Sequence, residues 1–497
     1  NSEMNSRNQL EKNMLLLLRK NIFVLSVSLI TVIAILLIRY LFPGSNYVSK
    51  EYLTSAAGIL QVVFLLVFLA IGLADFLKTN NQLKDFFTLR NALIASIIVS
   101  LVFSITKPVI GYYSSGFFVF FAILYFIREQ KVYAFNKVYF FLIAYALLQI
   151  IGACFNGSKF HFPEKVYSFL IFPLAYCLFD FGKQTYLRIL RVVFRVLFVF
   201  ICITLVFWIY NVNVYDASLK SWLTTKLAVD GLYNTYALIG VWSMYEHPTY
   251  ISLVLLSGLV AGFYLYFKKD KLAYVSFWEM VAYSVSLLIL ELAYESRVGL
   301  VSAVLLIAVS LFYYMKLKSS YYKLTFFAVI LFGSIFLLVK SDKFDLLWND
   351  NVRKIDYTLA VNYIGDHFWW GTGTGKQHLA LEYQEKIMKE LPKSINKKTY
   401  VHNQFLGEMV QFGISGLIVL LVVMAGLVFY SFKSRSYLLQ MLLFVYILFM
   451  LVEEPLYVQP GITRFIVFFA LFAAIGETNA ERKYVDLRQW FSKRKSS

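Results

Sequence analysis

Charged residues are scarce in this chain. Asp, Glu, Lys and Arg make up 15% of the 497 residues, against 60% hydrophobic and 19% aromatic. A soluble domain needs polar cover, so this balance excludes one large soluble core. Cysteine is almost missing. Cys154, Cys177 and Cys202 fall in or at the ends of apolar runs, as packed thiols do, and form no disulfide framework. No Cys/His cluster has zinc spacing, so no metal or other cofactor is expected. Heptads, solenoid periods, low-complexity tracts and strand-rich regions are also lacking. The N-terminal NSEMNSRNQLEKN has no signal-peptide cleavage pattern. Acidic residues are outnumbered, 29 against 47 basic, for a formal charge of +18. That excess does not point to nucleic acid, because the Lys and Arg residues sit in short loops between apolar runs, where they orient a membrane protein.

Apolar runs recur along the whole chain, each roughly 16 to 25 residues, the length that crosses about 30 Å of hydrocarbon. They lie near 20–41, 54–77, 92–107, 115–128, 138–154, 166–180, 188–210, 248–267, 272–291, 298–315, 324–339, 404–430, 437–452 and 461–477. The fourth, sixth and thirteenth are short, and counting two of the runs as re-entrant or interfacial leaves twelve. The expected fold is all-α: a polytopic helical membrane protein of about 12–14 transmembrane helices, one transmembrane domain over 1–497. Six short loops on the N-terminal side carry about 17 Lys and Arg, against about five on the other side, so both termini are expected in the cytoplasm. The C-terminal RKYVDLRQWFSKRK reads equally as a basic amphipathic tail on the membrane surface or as a solvated tail. Two external loops exceed the rest, at 211–247 and 340–403, and long polar loops on such a scaffold are usual sites of function. The larger is expected to hold short helices of its own.

Few residues carry chemistry. Arg297 opens an apolar run after a very short loop, where a fixed cation is costly unless paired, functional or snorkelling to headgroups. Glu291 and Glu295, one helical turn apart, could orient it. Arg353 precedes a short helical pattern from Tyr357 to Ile364. The run Gly371-Thr372-Gly373-Thr374-Gly375 follows, and such glycines allow positive φ and close backbone approach. The run is no Walker loop, since the spacing, a preceding strand and the Ser/Thr after Lys376 are missing. Trp369 and Trp370 read as an aromatic belt or as a platform for sugar rings. His402 stands at the mouth of the twelfth run and can take a proton near neutral pH. Asn403 could cap that helix or position a substrate. His247 and Tyr250, at the start of the eighth run, could face the same cavity.

These pieces resemble the O-antigen ligase and polymerase superfamily of bacterial inner-membrane glycosyltransferases. The match rests on Ser296-Arg297 leading into an apolar span, on Arg353 with Tyr357 to Ile364 and Asp366 to Gly373, and on His402-Asn403 with Gly407, Gly413 and Gly416. It covers roughly 295–420. The departures are His367, where the family often has proline, and a span count that can exceed the family's usual twelve.

The resemblance implies metal-independent, inverting transfer of a glycan from undecaprenyl pyrophosphate to an acceptor hydroxyl at the periplasmic face. It assigns Arg297 and Arg353 to the donor pyrophosphate, a suitable role for guanidinium groups. It assigns His402 to base catalysis. Glu295, His247, Tyr250, Gly371, Gly373, Gly375 and Asn403 are expected in support. Membrane lipids are expected partners and nucleic acid is not. Three acceptors compete: lipid A-core for a ligase, a lipid-linked repeat for a polymerase, and serine or threonine for a protein O-oligosaccharyltransferase. The ligase is preferred, because the large loop runs directly into His402. From another class, a lipid-linked glycan transporter would show internal repeats and broken helices in matching halves. Neither is visible.

Overall fold

The computed structural model describes residues 63–72, 88–103, 108–156, 166–214, 248–270, 273–294, 296–314, 351–387, 401–457, 459–477 and 484–486. Two of the expected spans, 20–41 and 324–339, lie outside these, as do His247 and Glu295. The described residues are almost entirely helical, as expected of an all-α membrane protein. After a helical segment Val63–Gly72 come α1 (Leu89–Phe103), α2 (Pro108–Glu129), α3 (Tyr139–Asn156), α4 (Phe172–Ala175), α5 (Lys183–Val214) and α6 (Pro248–Lys268). Then follow α7 (Phe277–Tyr294), α8 (Arg297–Tyr314), α9 (Asn351–Asp366), α10 (Gln377–Ile387), α11 (Gln404–Lys433), α12 (Tyr437–Met450) and α13 (Gln459–Glu477). Among the described residues three helices are long and apolar enough to cross a membrane: α5, α6 and α11. Shorter apolar helices, α8, α12 and α13 among them, pack around these.

Local chemistry explains the boundaries. Ser276 and Glu279 form a capping box at α7: Glu279 N donates to Ser276 Oγ (3.2 Å) and Ser276 N to Glu279 Oε2 (3.0 Å). The second oxygen of the buried Glu279 takes Arg195 of α5 at 2.7 Å, so one side chain both starts a helix and docks it. The sixth run does not cross as one helix. A π-helical turn, Tyr167–Ile171, leads into the four residues of α4, and the chain then turns through Tyr176 and Cys177. Pro173 cannot donate to the helical ladder. About ten helical residues span roughly 15 Å, half the hydrocarbon thickness. The C-terminal tail is pinned over the three residues described: β2 (Tyr484–Asp486) pairs antiparallel with β1 (Lys131–Tyr133), with Val132 opposite Val485. The tail and the 131–133 loop therefore share one end of the bundle.

Helix α11 is broken at Gly413, where φ is +65° and ψ is −155°. Only glycine adopts that conformation readily. The kink frees backbone carbonyls, and the glycine-threonine segment takes them. Thr372 N donates to Val410 O (2.9 Å) and Gly373 N to Gln411 O (2.6 Å), while Ile414 N donates back to Phe368 O (2.8 Å). A Cβ at Gly413 would lie 2.5 Å from the Trp369 backbone. Gly413→Ala is therefore expected to destabilise the protein by about 1–3 kcal/mol, read as a lower midpoint of thermal unfolding in detergent. A midpoint equal to the parent's would show that the kink is not needed.

Candidate active site

The site gathers where α9, α10 and α11 meet the turn after α12. Asn403 caps α11 in extended backbone, its Oδ1 accepting from Phe405 N and Leu406 N, both at 3.0 Å. Its Nδ2 donates to Leu451 O at 2.9 Å, which ties the start of α11 to the end of α12. His402, one residue earlier, sits at φ +59°. A left-handed non-glycine residue needs surrounding support. Here Tyr357 of α9 donates to the His402 carbonyl at 3.1 Å.

Glu453 joins the two principal candidates. Its carboxylate is 2% exposed. Oε1 takes Arg353 Nη2 at 3.0 Å, and Oε2 faces His402 Nδ1 at 3.3 Å. On the opposite side of the ring, Asp356 Oδ2 lies 3.9 Å from His402 Nε2. A sharply turned histidine and an arginine one helix away thus share one buried carboxylate. Burial lowers the His402 pKa, but the hydrogen bond and charge of Glu453 outweigh it, with Asp356 adding to them and Arg353 opposing. The net shift is upward from 6.5.

The adjacent Glu454 does separate work. It accepts Gln377 Nε2 on both oxygens (2.9 and 3.1 Å) and Val401 N at 2.7 Å, tying α10 to the residue before His402. Burial pushes its carboxyl up to about 7, against the opposing pull of these hydrogen bonds. A Cβ at Gly407 would press on Glu454 Oε1 and oblige that carboxylate to shift.

The remaining candidates fall as follows. Arg297 is the first residue of α8, behind Ser296, whose Oγ accepts from Gly299 N (3.3 Å) and meets Ser252 Oγ (3.1 Å). The buried Glu291 accepts from Ser252 at 2.6 Å. Near the far end of α8, Ser310 bonds Tyr437 at the start of α12 (2.6 Å). Tyr250 is buried in the hydrophobic core. Gly373 and Gly375 adopt positive φ, and their close approach is to α11: Gly375 N donates to Gln411 Oε1 at 3.2 Å. Trp369 and Trp370 are 69% and 79% exposed beside the kink.

Sequence reasoning missed Glu453, Glu454, Asp356 and Gln377. The first two had a signal. Two adjacent acids follow an apolar run directly in MLVEEPLY, and a charge in that position is costly without a partner.

Residues 281–421 match the family model described as O-antigen ligase. This stretch is similar to the O-antigen ligase family. It contains Arg297, Arg353, the glycine-threonine segment and His402, while Glu453 and Glu454 lie beyond it. No curated protein matches the chain.

Because the folded pKa of His402 is raised, its protonation stabilises the fold fully below pH 6.5, and that contribution is lost as pH rises through the folded value. Glu453→Gln removes the dominant raising cause and leaves burial and Arg353, which both favour the neutral ring, opposed by Asp356 alone. The variant's imidazole should titrate below the parent's by NMR. Its thermal midpoint should fall further behind the parent's at pH 6 than at pH 9. An unchanged titration would sever His402 from Glu453.

Proposed function

We propose that the chain is a glycosyltransferase that moves a glycan from undecaprenyl pyrophosphate to an acceptor hydroxyl, acting as an O-antigen ligase on lipid A-core at the periplasmic face of the inner membrane. The observation that carries this reading is the shared Glu453 carboxylate, with Arg353 on one oxygen and His402 on the other, inside an O-antigen ligase setting.

The chemistry follows from that geometry. Glu453 accepts from Nδ1–H, which fixes the tautomer and leaves the Nε2 lone pair for an acceptor proton. The acceptor oxygen attacks the anomeric carbon from the side opposite the pyrophosphate. As the C–O bond to pyrophosphate breaks, the proton passes to Nε2. The imidazolium then has a carboxylate on each side, Glu453 and Asp356. Arg353 and Arg297 hold the departing pyrophosphate, whose charge makes it a good leaving group, so no second acid is needed.

The test is transfer by the purified chain in detergent, using undecaprenyl-pyrophosphate glycan and rough lipopolysaccharide. His402→Ala is expected to lower the rate by about 10²–10⁴-fold while donor binding persists. The parent's rate should rise with pH through a value above 6.5, because the base acts only when neutral. In Glu453→Gln that limb should move to lower pH. Longer lipid-linked chains without lipopolysaccharide product would make the protein a polymerase. Full activity of a folded His402→Ala protein would remove the base from the mechanism.

A further inference from the structure

At the end of the bundle away from His402 lies a cavity of about 280 Å³. It forms where α5 begins, where α6, α8 and α13 end, and where α11 turns into α12. Three cations line it: Lys183, Lys268 and Arg435. Among the described residues no carboxylate lines it. The ammonium groups of Lys183 and Lys268 face each other, and Asp270 attracts that of Lys183 while taking a hydrogen bond from Gln184 (3.2 Å). Like charges held together in a partly enclosed space concentrate a positive field and favour an anion between them.

The cations are set on a framework. Lys268 Nζ lies 5.6 Å over the Tyr264 ring, Tyr264 stacks on Tyr437 (6.4 Å, 12°), and Tyr313 packs on Tyr437 at 5.2 Å. Arg435 sits at φ +50° in a tight turn closed by Arg435 N to Phe432 O (3.0 Å) and Ser436 N to Ser431 O (3.0 Å). The wall thus sets four aromatic rings beside three cations, where apolar helices end.

We propose that this cavity binds the phosphodiester headgroup of an anionic membrane lipid, with Arg435 as the forked donor and Lys183 and Lys268 as point charges. Guanidinium and ammonium groups between helix ends suit a headgroup phosphate. The tyrosines suit the glycerol and the first acyl carbons, which a free phosphate does not have.

The experiment is thermal unfolding of the purified full chain in neutral detergent, titrated with phosphatidylglycerol, phosphatidylcholine or inorganic phosphate. Phosphatidylglycerol should raise the parent's midpoint saturably and beyond either of the others. Lys268→Gln/Arg435→Asn should raise the half-saturating concentration roughly tenfold or more. Lys268→Gln alone, which leaves the turn intact, should lose part of that affinity. Arg128→Gln, which removes a basic charge outside the cavity, should keep it. Equal stabilisation by phosphatidylglycerol and phosphatidylcholine would overturn the proposal. So would protection by inorganic phosphate that the lipid does not exceed, parent affinity in Lys268→Gln, or a loss in Arg128→Gln as large as in the double variant.

Discussion

A carboxylate withdrawn from water must find positive charge, and Glu453 meets that demand with two groups from different parts of the chain. Arg353 comes from α9 and His402 from the residue before the α11 cap. Neither helix packing nor the cap would fix their relative position alone. The shared carboxylate does, because losing either partner leaves a buried charge less compensated. It also orients the ring, with Nδ1 toward Glu453 and Nε2 toward Asp356.

The surroundings serve that point. Glu454, on the next residue, holds Val401 and Gln377, so the backbone entering His402 is tied on both sides. Asn403 fastens the start of α11 to the end of α12. Further along α11, the break at Gly413 exposes carbonyls that the glycine-threonine segment satisfies. The amides of that segment are largely spent on this internal repair.

The two ends of the bundle differ in kind. At one end, Arg353 and His402 are paired with the buried Glu453, whose charge raises the His402 pKa. At the other, Lys183, Lys268 and Arg435 converge on a cavity that no acid lines among the described residues, which suits a ligand that brings its own negative charge. The ends of six helices bring these basic residues together.

The all-α membrane class was legible in the sequence, because the length of an apolar run answers directly to hydrocarbon thickness. Arg297 and His402 stood out there as polar residues at the edges of such runs, and Arg353 as a cation within the larger loop. The helix from Asn351 to Asp366 and the capping role of Asn403 also lay within reach, since both depend on neighbours in the chain. What only the tertiary structure decided are the pairings: Glu453 with Arg353 one hundred residues away, Glu454 with Gln377, and the glycine-threonine segment with α11. It also broke the sixth run into half a crossing. Hydropathy and periodicity are local quantities, whereas the partner of a buried charge is chosen by which distant helices pack together.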